Sequence, residues 1–148
     1  MKKRACIGYM FFSLFVGLTA ISASAQSRAT LSANVPFDFQ VGSRALSAGE
    51  YTIQQFSSSD SGLVIRSADG KQRALALSHT VESNSKQSRR SRLVFNKYGE
   101  QYFLASIWED NGECRMLHQS AAERNVRRET ASLKSSEPEI VIVELSSK

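Results

Sequence analysis

From Thr30 to Val41 the chain alternates without a slip. Leu31, Ala33, Val35, Phe37, Phe39 and Val41 take one set of positions, and Thr30, Ser32, Asn34, Pro36, Asp38 and Gln40 take the other. A period of two marks a strand with one face against a core and the other in water. Pro36 falls on the outer register and has no N–H for a ladder bond, so one long first strand is expected that lies at an edge or bends there. After Gly42 and the Ala48-Gly49 turn, a second strand runs from Tyr51 to near Phe56, and the polar stretch from Ser57 to Gly62 breaks it. Leu63, Val64 and Ile65 make a third. Asp69-Gly70 is a hairpin turn, since both residue types tolerate positive φ, and it leads into a fourth strand from Gln72 to Val81. There Leu75, Leu77, His79 and Val81 share one face and the small Ala74, Ala76, Ser78 and Thr80 the other, so the larger set is expected inside.

Residues 82–92 are rich in Ser, Lys and Arg, lack an apolar period and read as an exposed loop. Arg92 to Lys97 and Gln101 to Trp108 then form a hairpin around Tyr98-Gly99, with Leu93 and Phe95 on one face and Phe103, Ala105 and Ile107 on the matching register. Asn111-Gly112 signals another turn, before a short strand from Cys114 to Leu117. Ser120-Ala121-Ala122-Glu123 is a capping box, which predicts a helix of about three turns to Thr130. Val126 is its one sizeable apolar residue before Leu133, so the helix is expected outside the sheet. Ile140 to Val143 do not alternate, which predicts an internal last strand covered on both faces.

About seven or eight strands, tight turns and one short helix near the C-terminus indicate an all-β antiparallel barrel or sandwich. The barrel is preferred because closure removes exposed edges. The order of many strands, then a helix, then one more strand is like that of lipocalin-type barrels, a likeness of fold alone.

With 148 residues, 22% charged and 41% hydrophobic, and with 8 Gly and 2 Pro, the composition fits one globular domain and excludes fibrous or wholly disordered chains. Residues 1–25 read as a secretory signal: Lys2-Lys3-Arg4, an apolar run of 15 residues from Ile7 to Ile21, then Ala23-Ser24-Ala25 as a cleavage site. A bilayer span needs about 20 predominantly apolar residues, so no transmembrane anchor is expected. Cleavage near Ala25 leaves residues 26–148 as a single β-rich domain, exported to the periplasm or the medium. Loss of the three leader cations leaves 16 basic against 14 acidic residues, which does not suggest a nucleic-acid partner. Cys114 is then the single thiol, read as a small buried hydrophobe, and no internal disulfide can form.

The segments Val35-Pro36-Phe37-Asp38-Phe39-Gln40-Val41-Gly42, Ala48-Gly49-Glu50-Tyr51, Leu93-Val94-Phe95, Tyr98-Gly99 and Tyr102-Phe103-Leu104 through Ile107-Trp108 resemble those of a family of small exported bacterial proteins, over about residues 31–130. The resemblance implies a shared β fold, export and no assigned activity. Members of that family usually carry Pro where this chain has Ser47, which removes a source of rigidity from that turn.

Candidate chemistry is sparse. His79, Tyr51, Phe95, Tyr102 and Trp108 are the candidate ligand-binding residues, with His79 expected inside as a hydrogen-bonded core imidazole or a polar group lining a cavity. Cys114, His118 and His79 are residue types that bind metal, but a strand at 114–117 removes the meaning of the four-residue spacing, and no metal or cofactor is expected. Lys86, Arg89, Arg90 and Arg92 form a candidate basic patch, and Arg124, Arg127 and Arg128 lie on the helix. The absence of Gly-x-Ser-x-Gly, phosphate-loop or paired-carboxylate signatures argues against an enzyme. The leading expectation is an exported binding domain for a small apolar molecule or an envelope component. The alternatives are a structural or assembly protein of the envelope and an exported hydrolase using His79.

Overall fold

The computed structural model describes residues 30–56, 61–82, 90–133 and 137–147. Residues 1–25, read from sequence as a secretory signal, together with Lys86, Arg89 and most of the segments 57–62 and 82–92, lie outside them. Its strands are β1 Leu31–Val35, β2 Phe39–Val41, β3 Arg44–Leu46, β4 Gly49–Gln55, β5 Gly62–Ser67, β6 Arg73–Glu82, β7 Arg92–Tyr98, β8 Gln101–Trp108, β9 Glu113–Leu117 and β10 Glu139–Ser147, with helix α1 at Ala121–Leu133. None of the described helices is long and apolar enough to cross a membrane.

Eight strands close into an antiparallel barrel in the order β1-β4-β5-β6-β9-β8-β7-β10 and back to β1. β1, β4, β5 and β6 run forward around the wall. β7, β8 and β9 run back to meet β6, and β10 seals the seam between β7 and β1. The circuit thus departs from a consecutive up-and-down meander, although the element order, with the helix before the last strand, is the expected one.

The first strand breaks instead of bending. Pro36 ends β1, and residues 36–38 turn the chain so that β2 leaves the wall, pairs parallel with β8 at Gln40 and Phe103, and folds back on β3. This hairpin closes the upper mouth of the barrel, the end where β1 stops at Val35. Phe39 (2% exposed), Val41 and Leu46 are buried in the core, with Phe37 packed beside them. Phe39 meets Tyr51 and Phe95 edge to face at centroid distances of 5.1 and 5.4 Å, and Phe37 meets Phe95 at 5.2 Å and stacks on Tyr102 at 4.0 Å. An eight-stranded barrel is just wide enough to be filled by side chains, and these rings together with Val35, Ile65, Leu93 and Ile107 fill it.

Large rings on one side require small residues opposite, which reverses the expectation for β6. Ala74 is buried at 1% and Ser78 at 3%, whereas Leu75 and Leu77 are 56% and 68% exposed on the outer wall with Val81 and His79. The narrow interior has no room for four more large side chains on this strand.

Two further differences follow from local geometry. A bulge at Ala105 shifts the register of β7 and β8, so Leu104 pairs with Phe95 inside, while Phe103 pairs with Asn96. Phe103 and Tyr98 are therefore buried outside the barrel core, with their rings 5.9 Å apart. On β10, Val141 and Val143 pack against the core, but Ile140 and Ile142 are each 55% exposed. That strand is internal in the sheet and covered on one face only.

Helix α1 begins as the capping box requires on one side, with the Glu123 N–H donating to Ser120 Oγ at 3.0 Å. The Glu123 carboxylate does not return to the helix. It is 4% exposed and accepts from Asn96 Nδ2 at 2.8 Å and the Tyr98 hydroxyl at 3.5 Å, tying the outer wall of β7 to the first turn.

At the lower mouth, the Arg115 side chain is 5% exposed and bonded through Nε to Glu109 at 3.1 Å and through Nη2 to Glu113 at 2.6 Å. With its amide oxygen turned toward the guanidinium, Gln55 accepts from it at 2.5 and 3.1 Å.

The assignment of faces on β6 is open to a direct check. Ala74→Leu should overpack the interior and cost about 1–3 kcal/mol, while Leu77→Ser should stay within about 0.5 kcal/mol of the wild type. Urea unfolding of the two variants reads the difference, and equal losses would mean that the faces are reversed.

Candidate functional site

Four cations meet at the upper rim. Arg44 from β3, Arg66 at the end of β5, Lys71 from the turn and Arg73 at the start of β6 line a cleft of about 430 Å³ together with Ala45, Leu46, Gly70 and Gln72. Arg66 and Arg73 are direct cross-strand partners. Like charges facing each other on a sheet destabilise it. Both side chains are exposed, as is Arg44, and among the described residues none of the three makes an ion pair. Asp69 supplies one counter-charge, 3.5 Å from Lys71 Nζ. Its carboxyl is held below the usual range by the Ser67 hydroxyl first and the Lys71 N–H second, so it stays ionised.

The turn that presents these cations is tightly bonded. Ser67 Oγ donates to Asp69 at 2.5 Å and accepts the Gln72 N–H at 2.9 Å, and Asp69 also accepts the Lys71 N–H at 3.1 Å. Backbone bonds run from Ser67 N to Gln72 O and from Gly70 N to Ser67 O, both 2.9 Å. Gly70 alone takes positive φ (73°), so the loop is wider than the expected two-residue turn.

Gln72 links this turn to the chain ahead of β4. Its Oε1 accepts the Ser47 N–H at 3.0 Å and lies 3.2 Å from the Tyr51 hydroxyl, which donates to Ser47 O at 2.6 Å. A proline at position 47 could not make the first of these bonds, so the turn is held here by a hydrogen bond that needs the Ser47 N–H. Burial pushes the Tyr51 phenol above its usual value, and the charges of Asp69 and Asp38 add to that.

The residues singled out from sequence do not converge. Tyr51 and Phe95 lie in the core, and Tyr102 is half-buried at its upper edge with Lys97 Nζ 5.7 Å from its ring centre. Trp108 is half-buried with the Arg92 guanidinium 4.8 Å from its centroid. His79 sits exposed on the outer wall, 5.3 Å from the His118 ring, and makes no hydrogen bond among the described residues. Arg90 pairs with Glu144 at 3.2 Å, so the two described members of the expected basic patch, Arg90 and Arg92, each have a partner. Cys114 is buried beside Ser106 and burial raises its thiol above the ordinary range. The rim cations were missed, although their signal was present: positions 66 and 73 are equidistant from Asp69-Gly70, so a hairpin centred there must set them face to face.

Burial also raises the Tyr98 phenol. A phenol that holds its proton more tightly folded than unfolded leaves stability intact below the ordinary tyrosine value of 10.0 and removes it as pH climbs through the folded value. The urea midpoint should therefore hold up to the ordinary tyrosine value of 10.0 and fall as pH rises beyond it, and Tyr51→Phe should flatten that fall. An unchanged slope in the variant would contradict the assignment.

Comparison of the chain with protein-family models, with curated proteins and with solved structures finds no match in any of the three.

Proposed function

We propose that this protein is an exported, non-enzymatic binding module that engages an anionic component of the cell envelope at the basic cleft of the upper rim. The observation that carries this reading is the Arg66–Arg73 cross-strand pair, joined by Arg44 and Lys71 around one concavity. Facing arginines weaken the hairpin that bears them, and an anion seated between them reverses the sign of that interaction. Arginine suits the role because its guanidinium stays charged and presents a planar fork to phosphate or carboxylate. The filled barrel interior favours a surface partner over a small apolar molecule held inside. Export rests on the basic and apolar pattern of residues 1–25.

Arg73→Glu replaces the like-charge pair with an opposite-charge one, and should stabilise the fold slightly while reducing retention on immobilised heparin and on vesicles containing an anionic lipid by about tenfold. Binding by the wild type should weaken steeply with added salt. The triple variant Arg124→Gln/Arg127→Gln/Arg128→Gln on α1 should bind as the wild type does. If the helix variant loses as much as the rim variant, binding follows overall charge and the cleft has no role.

A second reading, a structural or assembly protein of the envelope, draws on the exposed Leu75, Leu77, Val81 and Met116 along one wall. Native mass spectrometry distinguishes them: a bound anionic molecule supports the first, and a defined multimer without one supports the second.

A further inference from the structure

The outer wall where β6 meets β9 carries a chemistry that the rim cleft does not use. His79 on β6 and Met116 on β9 are direct cross-strand partners, and His118, one residue past the end of β9, brings its ring to that of His79. His79 and His118 are exposed and Met116 is 44% exposed. The two imidazole rings stand 5.3 Å apart, centroid to centroid, with a 39° tilt.

That separation is informative. An imidazole nitrogen binds a metal at about 2.0–2.1 Å, which places the ion roughly 3.2 Å from the ring centroid. Two rings 5.3 Å apart then subtend an angle of about 110° at a shared ion, the tetrahedral value. Exposed rings can turn about χ2 to aim their nitrogens at one point, and the flexible thioether of Met116 lies across the strand from His79. Among the described residues no three of His, Cys, Asp and Glu are grouped to hold a metal. The donor that the strand register sets opposite His79 is the Met116 thioether, and two imidazoles with a thioether would make an uncharged set whose sulfur favours monovalent copper.

We propose that His79, Met116 and His118 form a surface site for Cu(I). The rings approach each other because the register of β6 and β9 sets them there, and the site is separate from the anionic cleft. The ion binds without any change in its oxidation state, by displacing water from the three side chains.

The test is competition for Cu(I), under exclusion of air, between the purified protein and a chromophoric Cu(I) chelator. The wild type should take up one equivalent. His79→Ala and His118→Ala should each weaken uptake at least tenfold, and Met116→Leu should do the same for Cu(I) while leaving Zn(II) binding unchanged. Cys114→Ser should bind as the wild type does, which separates this site from the buried thiol. All three ligand side chains are exposed, so circular dichroism and thermal unfolding without metal should be unaltered in their variants. Failure of the wild type to take up copper overturns the proposal. So does uptake that survives the His79→Ala/His118→Ala double variant or is lost in Cys114→Ser alone, and an unaltered Cu(I) affinity in Met116→Leu overturns the choice of ion.

Discussion

The width of an eight-stranded barrel decides most of this structure. Its interior has a fixed cross-section, and Phe39, Tyr51 and Phe95 occupy much of it, with Phe39 edge-on to each of the other two rings. Every strand that faces them must yield space, which is why β6 turns Ala74, Ala76 and Ser78 inward and sends its leucines out. The apolar outer wall is then a by-product of a filled core. The same constraint explains the hairpin of β2 and β3: aromatic rings near the upper mouth need a cover, and Phe37, Phe39, Val41 and Leu46 supply it.

Much of the architecture could be read from residue order, because alternation and turn chemistry are local signals. The strands of β4 to β9 lie where period and glycine position put them. Faces were harder. On β6 amphipathic reasoning sends the larger side chains to the core, yet a barrel ranks residues by available volume as well as by hydrophobicity. On β8 the bulge at Ala105 exchanged the faces of everything on its far side, and no single residue type announces a bulge. The break at Pro36 was legible as a disturbance but not as a departure from the wall, since that depends on what waits at the mouth. Of the candidate site, the individual aromatics were visible and their separation was not: Trp108 and His79 need the register of three strands to be placed.

Charge is handled in two contrasting ways at the two ends. At the lower mouth, Arg115 is withdrawn from water and surrounded by Glu109, Glu113 and the Gln55 amide, as a buried guanidinium must be. At the upper rim, Arg44, Arg66 and Arg73 stand exposed, two of them opposed. The first arrangement is self-contained and holds the fold. The second sets like charges against each other, which costs the β5–β6 hairpin some stability.

The seam closed by β10 has a consequence for the order in which the molecule can be assembled. β1 and β7 are separated by more than fifty positions in the chain and meet only through residues 139–147. Until those residues arrive, both strands present bare amide edges, and the nascent polypeptide is an open, curled sheet liable to pair with its neighbours. Strand β10 thus acts as the latch that converts a vulnerable ribbon into a cylinder.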